Sequence, residues 1–186
     1  MNKLFSLKPT YLSTVLKSLI VICLGFFIFY IDDKDFFDYR ITVAFTLFIS
    51  IVKCAYFVGV SYQKILDVSL KNTAYFEFII FMALNIFVII ISFATDFFCL
   101  VQVDHRSLEG IKSGLTIFEK IFECFYFSVL NFSFFGYGDI LPATIPAKIV
   151  LMLEATMSFL TVILVLSDFI SLKESIADYR NKKSKS

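Results

Sequence analysis

The chain has 186 residues, of which 59% are hydrophobic, and its formal net charge is +1. A mean hydropathy of +0.83 is too high for a soluble domain, so composition predicts a small integral membrane protein without a separate folded soluble domain. The near-zero net charge implies no nucleic-acid partner.

Four apolar runs reach the length of about 20 residues that a helix needs to cross a bilayer. They cover about Thr10 to Tyr30, Ile41 to Ser61, Tyr75 to Val101 and Ala147 to Ile170. The stretch from Phe118 to Phe134 is too short to cross and fits a re-entrant half-helix. The sequence therefore predicts an all-α membrane protein of four transmembrane helices, with a re-entrant segment between the third and the fourth.

The placement of lysine and arginine predicts the orientation of these helices. Residues 1–9 carry lysines, the loop after the first run is acidic, and Lys64 and Lys71 flank the second loop. Residues 173–186 form a basic tail. We therefore expect both termini in the cytoplasm and a multi-pass chain in the cell inner (plasma) membrane. The tail from Tyr179 to Ser186 is predicted to be disordered, and a topology-setting role is favoured over contact with anionic lipid or a partner.

The stretch from Tyr126 to Lys148 reads YFSVLNFSFFGYGDILPATIPAK. It opens as a short apolar helix and breaks at Gly136–Asp139. Pro142 and Pro146 are expected to prevent a return to helix before Ala147. Non-helical backbone at membrane depth is tolerated where it is buried in protein or lines a water-filled path. The pattern therefore predicts a loop that enters the membrane and leaves on the same side.

This stretch resembles the pore region of tetrameric potassium channels. The matched positions are the opening Tyr126-Phe127-Ser128, the signature Gly136 to Asp139, and Pro142, Thr144, Ala147 and Lys148 at the exit. A GYGD sequence alone would also fit a simple turn. The resemblance implies a homotetramer in the lipid bilayer. Residues 75–172 would form the pore module with its pore helix and filter loop, and residues 10–74 two peripheral transmembrane helices.

The chain departs from this family just before the glycines, where Phe134 and Phe135 replace the family's Thr-Val pair. In such filters backbone carbonyls replace the water shell of the ion, and the threonine hydroxyl completes the innermost site. Four copies of Phe134 would form an aromatic ring that excludes water and ions, while Phe135 would point back at the pore helix. The resemblance implies a filter formed by Phe134, Phe135, Gly136, Tyr137, Gly138 and Asp139, with potassium as its ligand and no other cofactor. Conduction stays an open question.

Polar residues inside a span indicate a functional role by default. Lys53 lies about 18 Å below Ile41 at 1.5 Å per residue, and Asn85 is predicted at a comparable depth as its partner. Snorkelling of Lys53 to the inner surface is the alternative. By register with the family, Glu154 would lie behind the filter, where it could accept hydrogen bonds from Asn131 or Ser133. It is predicted to be a structural brace first and a cation site second.

The family register also predicts an inner pore lining of Phe159, Val162, Leu166 and Ile170, either as a dry gate or as a packed seam between subunits. Ser158 occupies the position of the family's hinge glycine.

Cys99 and Cys124 could form a disulfide bridge on the outer side, although buried thiols are favoured. The four cysteines lack zinc-site spacing. The only histidine, His105, is predicted to be a solvated residue of an outer turret from Gln102 to Lys120, rather than a pH sensor.

Two functions remain open. The first is a cation channel, with potassium as the expected ion. The second is a non-conducting membrane sensor or anchor that recruits a cytoplasmic effector through Lys64 to Lys71 and the basic tail. In size and span number the chain is also similar to the membrane subunit of the Kiwa anti-phage defence system. No paired carboxylates, no nucleophile with a base and no metal cluster are recognisable, so an enzyme is not predicted and no catalytic or metal-binding residue is assigned.

Overall fold

The fold is taken from a computed structural model that describes the backbone of residues 39–71, 75–112 and 114–185. Side chains are described for residues 40–63, 79–112 and 114–167. The predicted first span, Thr10 to Tyr30, and most of the acidic loop after it lie outside the described residues.

The described chain is almost entirely helical. Its elements in order are α1 (Tyr39–Lys71), α2 (Tyr75–Val103), β1 (Leu108–Glu109), α3 (Ile117–Phe132), β2 (Leu141–Pro142) and α4 (Ile145–Lys185). Three helices are long and apolar enough to cross a membrane, over Arg40–Gln63, Ile79–Val103 and Ile145–Ser167. These three agree with the second, third and fourth predicted runs, and the chain is therefore described as an all-α membrane protein.

Two predictions about the last helix are wrong. The helix begins at Ile145, before Pro146, because proline is compatible with the first turn of a helix, where its missing N–H would have no partner. The tail is helical to Lys185 instead of disordered. From Ala147 onward the sequence contains neither glycine nor proline, so no residue in it interrupts the helix.

Helix α2 lies at the centre of the fold and packs against α1, α3 and α4. The Phe97 ring meets the Phe127 ring of α3 edge to face at a centroid distance of 4.8 Å. The outer face of α1 exposes large apolar side chains, as a face turned to lipid would. These residues are Ile41, Phe45, Phe48, Ile51 and Val52.

The predicted turret folds back on the segment that leads into α4. The Ser107 hydroxyl donates to the Leu100 carbonyl oxygen over 3.1 Å, and the Ser107 carbonyl oxygen accepts the backbone N–H of Ala143 over 3.0 Å. Beyond it, β1 pairs antiparallel with β2, with Leu108 opposite Pro142. The chain that leaves β1 at Glu109 therefore returns to pair with it at Leu141, 32 residues later. His105, in the same turret, is exposed, as expected for a solvated residue.

Helix α3 has a well-defined start. The Thr116 hydroxyl accepts the Glu119 backbone N–H over 3.3 Å, and Glu119 Oε2 accepts the Thr116 backbone N–H over 2.8 Å. This capping box satisfies two backbone donors that have no partner within the helix. The hydrogen bonds from the Thr116 side chain and backbone lower the pKa of the exposed Glu119 carboxyl.

Candidate functional site

Helix α3 ends in a Schellman motif just ahead of the glycines. The Phe135 N–H bonds the Leu130 carbonyl oxygen over 2.9 Å, and the Phe134 N–H bonds the Asn131 carbonyl oxygen over 3.0 Å. Phe134 occupies the position that usually holds glycine and has a φ of 59°. It is the only non-glycine residue with positive φ in the described part of the chain. That conformation costs an L-residue roughly 1–2 kcal/mol.

The segment after this helix stop is exposed in the single chain, from Ser133 through Asp139. Gly136 and Gly138 both have positive φ, 38° and 77°, and a Cβ at either would meet no atom within 4 Å. The Phe135 ring is 67% exposed and lies near the Tyr137 ring, at a centroid distance of 5.9 Å. The prediction that Phe135 points back at α3 is therefore wrong for the single chain, because its ring is turned along the loop.

The exit of the loop is held from two directions. The Tyr126 hydroxyl donates to Asp139 Oδ2 over 2.8 Å, and Asp139 Oδ1 accepts the Ile140 N–H over 3.0 Å. On the other side Gly110, with a φ of 101°, approaches so closely that a Cβ there would lie 2.0 Å from the Asp139 carbonyl oxygen. The glycine is required by this contact, which joins the turret to the end of the GYGD sequence.

Two polar contacts join α3 to α4 behind the loop. The Ser128 hydroxyl contacts Glu154 Oε1, and one turn further on the Ser158 hydroxyl donates to the Phe132 carbonyl oxygen. Because both pairs are spaced by four residues, they lie on the same face of each helix. Sequence reasoning missed the contributions of Ser128 and Ser158, although Ser128 belongs to the matched opening motif.

The hydrogen bonds predicted for Glu154 differ from those in the structure. Glu154 is fully buried, as a brace behind the loop requires. Asn131 borders the same carboxyl group, yet Asn131 Nδ2 and Glu154 Oε2 are both buried without a hydrogen-bond partner. Ser133 makes no contact of this kind, since it is exposed and donates to the Val129 carbonyl oxygen of its own helix over 2.8 Å. Its hydroxyl caps the last turn of α3 instead.

Lys53 and Asn85 are both buried, but they are not partners, so that prediction is wrong. Lys53 Nζ forms an ion pair with Asp96 Oδ1 and also donates to the Ser92 carbonyl oxygen over 3.2 Å. Asn85 donates to Ser61 Oγ over 3.0 Å. Asn85 and Asp96 are 11 residues, about 16 Å, apart on α2, so the predicted register of α1 on α2 was displaced by that length. Snorkelling is also wrong, because Lys53 is 2% exposed.

Asp96 has both oxygens satisfied, because Ser50 donates its hydroxyl to Asp96 Oδ2 over 2.7 Å. Sequence reasoning overlooked this carboxyl group. The signal was present, since an acid inside the apolar run Tyr75 to Val101 is as unusual as a lysine in the run before it.

The part of the chain that contains most of these contacts is similar to a known protein family. Residues 85–174 match the family model described as "Ion channel". This match supports a relationship of residues 85–174 to the ion-channel superfamily. No curated protein and no solved structure matches the chain significantly. The matched range starts within α2 and ends within α4, and it does not include α1. Ion channels are not typically enzymes, which is consistent with the absence of a predicted catalytic site.

In this channel-like segment the side chains predicted to line a pore project from one side of α4. Phe159, Val162 and Leu166 are 60%, 43% and 56% exposed in the single chain. Ile170 lies in the helix, but its side chain is outside the described set. Cys99 and Cys124 are buried and are not joined by a disulfide, which agrees with the favoured prediction of thiols.

Proposed function

We propose that the chain is one subunit of a homotetrameric, potassium-channel-like protein of the cell inner membrane. Residues 133–139 of each subunit would form a filter loop near the common axis. Both termini would lie in the cytoplasm, and the loop would enter from the outer side. The ion-channel match and the GYGD sequence support this proposal.

One observation carries the proposal, namely that β1 pairs with β2. Between these strands the 16 residues of α3 extend about 24 Å at 1.5 Å per residue. The eight residues 133–140 can return over at most about 26 Å at 3.3 Å each, and the positive φ of Phe134, Gly136 and Gly138 shortens that path. Neither the helix nor the loop spans a hydrocarbon core of about 30 Å. This geometry supports a re-entrant pore helix followed by a filter loop.

Exposure in the single chain supports an assembly of several copies. A loop with Phe134 57% and Tyr137 70% exposed carries aromatic rings that lipid or water would otherwise have to cover. The exposed row Phe159, Val162 and Leu166 continues below it on α4. Fourfold symmetry would bring four loops and four such rows together around one axis, as closed cyclic assemblies do.

Conduction by this assembly is doubtful on chemical grounds. Phe134 has no hydroxyl for an innermost ion site, and its ring would narrow the inner mouth of the filter to an apolar constriction, of the kind that gates by dewetting. The lining residues below it offer little polar surface. We therefore expect the unmodified protein to pass little potassium.

Potassium flux from proteoliposomes tests the proposal. Phe134→Gly is the most informative variant, because it removes the ring and suits the positive φ that the Schellman motif imposes. Phe134→Thr restores the hydroxyl of the family, but a β-branched residue is strained at that φ. We expect flux through Phe134→Gly that exceeds the parent, is selective for potassium over sodium, and is reduced by tetrameric pore blockers.

Phe122→Gly is the matched control, since Phe122 is an equally exposed aromatic residue on α3 away from the loop. It should leave flux unchanged. A purified protein that is monomeric or dimeric would contradict the proposal. A tetramer that shows no potassium flux in any variant would favour the alternative below.

The alternative is a non-conducting membrane sensor or anchor that has kept a pore-like fold and recruits a cytoplasmic effector, for example in bacterial anti-phage defence. The Phe134-Phe135 pair favours it, and so does the extension of α4 to Lys185 as a helix that could present the basic residues 173–185. An identified soluble protein that co-purifies and is lost on deletion of residues 179–186 would support it. A tetramer that purifies alone would count against it.

A further inference from the structure

Glu154 stands at a junction of three helices. It lies on α4, contacts the Ser128 hydroxyl of α3, and through it reaches α2, because Ser128 Oγ lies 3.0 Å from the Ile90 carbonyl oxygen. The Glu154 side chain is fully buried. Its charge state therefore decides how these three helices are joined directly behind the proposed loop.

An ionised Glu154 would be poorly supported. Ser128 could give it one hydrogen bond, Oε2 borders only the Asn131 amide without a hydrogen bond to it, and no lysine or arginine among the described residues forms an ion pair with it. A buried carboxylate without a counter-ion is far more costly than a neutral acid, so such groups take up a proton instead.

The hydroxyl proton of Ser128 leads to the same answer. A serine hydroxyl has one proton to donate, yet Ser128 Oγ lies within hydrogen-bonding distance of two acceptors, the Ile90 carbonyl oxygen and Glu154 Oε1. If Glu154 is a carboxylic acid, its O–H donates to Ser128, and Ser128 donates to Ile90. Both contacts are then satisfied hydrogen bonds. Oε2 remains an acceptor facing Asn131 Nδ2, the other unpaired buried atom.

The neighbouring groups favour the neutral acid as well. Asp96 of α2 acts on Glu154 as a like charge, and Cys54 of α1 also lies within electrostatic range. The nearby cation, Lys53, is already paired with Asp96. From α3 the carboxyl group meets only the neutral side chains of Ser128 and Asn131. Among the described residues these neighbours therefore offer Glu154 no unpaired cation.

We propose that Glu154 binds a proton at neutral pH and holds α4 to α3 and α2 as a hydrogen-bond donor to Ser128. The ligand of this site is the proton itself. Glu154 is then a positioning residue, which sets the distance between α4 and the helix that precedes the loop. The inference concerns contacts within one chain, so it stands whether or not the assembly conducts.

Infrared spectroscopy of the full-length protein in lipid vesicles at pH 7 tests this assignment. Labelling glutamate with ¹³C at the side-chain carboxyl separates its carboxylic-acid C=O band from those of aspartate. We expect one labelled acid band in the parent. It should be lost in Glu154→Gln, shifted in frequency in Ser128→Ala, and unchanged in Glu119→Gln, since Glu119 is an exposed glutamate at the start of α3. Absence of the band in the parent, or its survival in Glu154→Gln, would overturn the proposal.

Thermal unfolding gives a second readout. Glutamine is neutral and can donate to Ser128, so Glu154→Gln should retain the parental melting temperature, whereas Glu154→Ala should lower it by several degrees. If the glutamine variant melts as low as the alanine variant, the protein uses the ionised form and the proposal is wrong. A Glu154→Ala protein that does not fold leaves the comparison of Glu154→Gln with the parent decisive.

Discussion

The fold buries two carboxyl groups in opposite ways. Asp96 on α2 meets Lys53 and Ser50, so both of its oxygens have donors and its charge has a partner. Glu154 on α4 has one serine, one unpaired oxygen and no cation within the described residues. Neutralisation of a buried carboxyl group in a membrane protein therefore does not require a second charged side chain. A bound proton can neutralise the carboxyl group where its neighbour is a hydroxyl group.

The two sites also join different parts of the fold. Lys53 and Asp96 tie α1 to α2, across the boundary of the ion-channel match, which begins at residue 85. Glu154 and Ser128 join helices that both lie inside the matched range. The ionic contact therefore attaches a helix outside the matched range to the channel-like segment, and the neutral contact stabilises that segment itself.

The largest expected effect comes from removing the cation beside Asp96, which leaves that carboxyl group without an ion pair, as Glu154 is. Lys53→Met leaves Asp96 buried without its cation, and loss of one partner of a buried pair costs about 3–5 kcal/mol of the free energy of unfolding. Asp96 should then take up a proton, so an infrared acid band from ¹³C-labelled aspartate should appear. Unfolding in detergent measures the free energy, and the double variant Lys53→Met with Asp96→Asn should recover most of the loss.

Lys148→Met is the matched control for that experiment, because Lys148 is an exposed lysine near the start of α4. It should change the free energy of unfolding by no more than about 0.5 kcal/mol. If Lys53→Met is no more destabilising than this control, the buried ion pair does not hold α1 to α2.

A smaller effect is expected at the second site. Ser128→Ala removes the hydroxyl group that links Glu154 to Ile90 and leaves the acid without an acceptor, which costs about 1–2 kcal/mol. Ser133→Ala is the matched control on the same helix, since its exposed hydroxyl bonds only its own backbone. Equal losses in the two variants would show that the contact with Glu154 contributes nothing.

The sequence predicts the helices well and the contacts between them poorly. Length and hydropathy alone locate the three spans of the described chain, and the glycines after Phe132 locate the end of α3. The predicted pair of Lys53 and Asn85 failed because the register of one helix on another is set by packing along their whole length. The prediction of a disordered tail failed because it relied on the charge of the tail and did not consider that the tail contains no glycine or proline.

The sequence likewise predicts some features of the candidate site and not others. Family register predicts that Glu154 lies behind the loop, but it does not reveal that the contact comes from Ser128 and not from Ser133. Those two serines differ by five residues, which turns them to different sides of α3. The pairing of β1 with β2 involves only two residues in each strand and has no recognisable sequence pattern. Only the close approach of Gly110 to Asp139 explains why a glycine is needed there.

The smallest expected effect lies at a third carboxyl group, the exposed Asp139. Its partner Tyr126 donates a hydrogen bond over 2.8 Å, the kind of contact that would be strong if it were buried. Water can replace that donor, because exposed polar groups exchange one hydrogen-bond partner for another at little net cost. Tyr126→Phe should therefore leave the melting temperature unchanged within error, although the variant loses a direct side-chain hydrogen bond. A clear drop in melting temperature would mean that assembly excludes water from Asp139, so that burial between subunits, and not within one chain, gives this contact its strength.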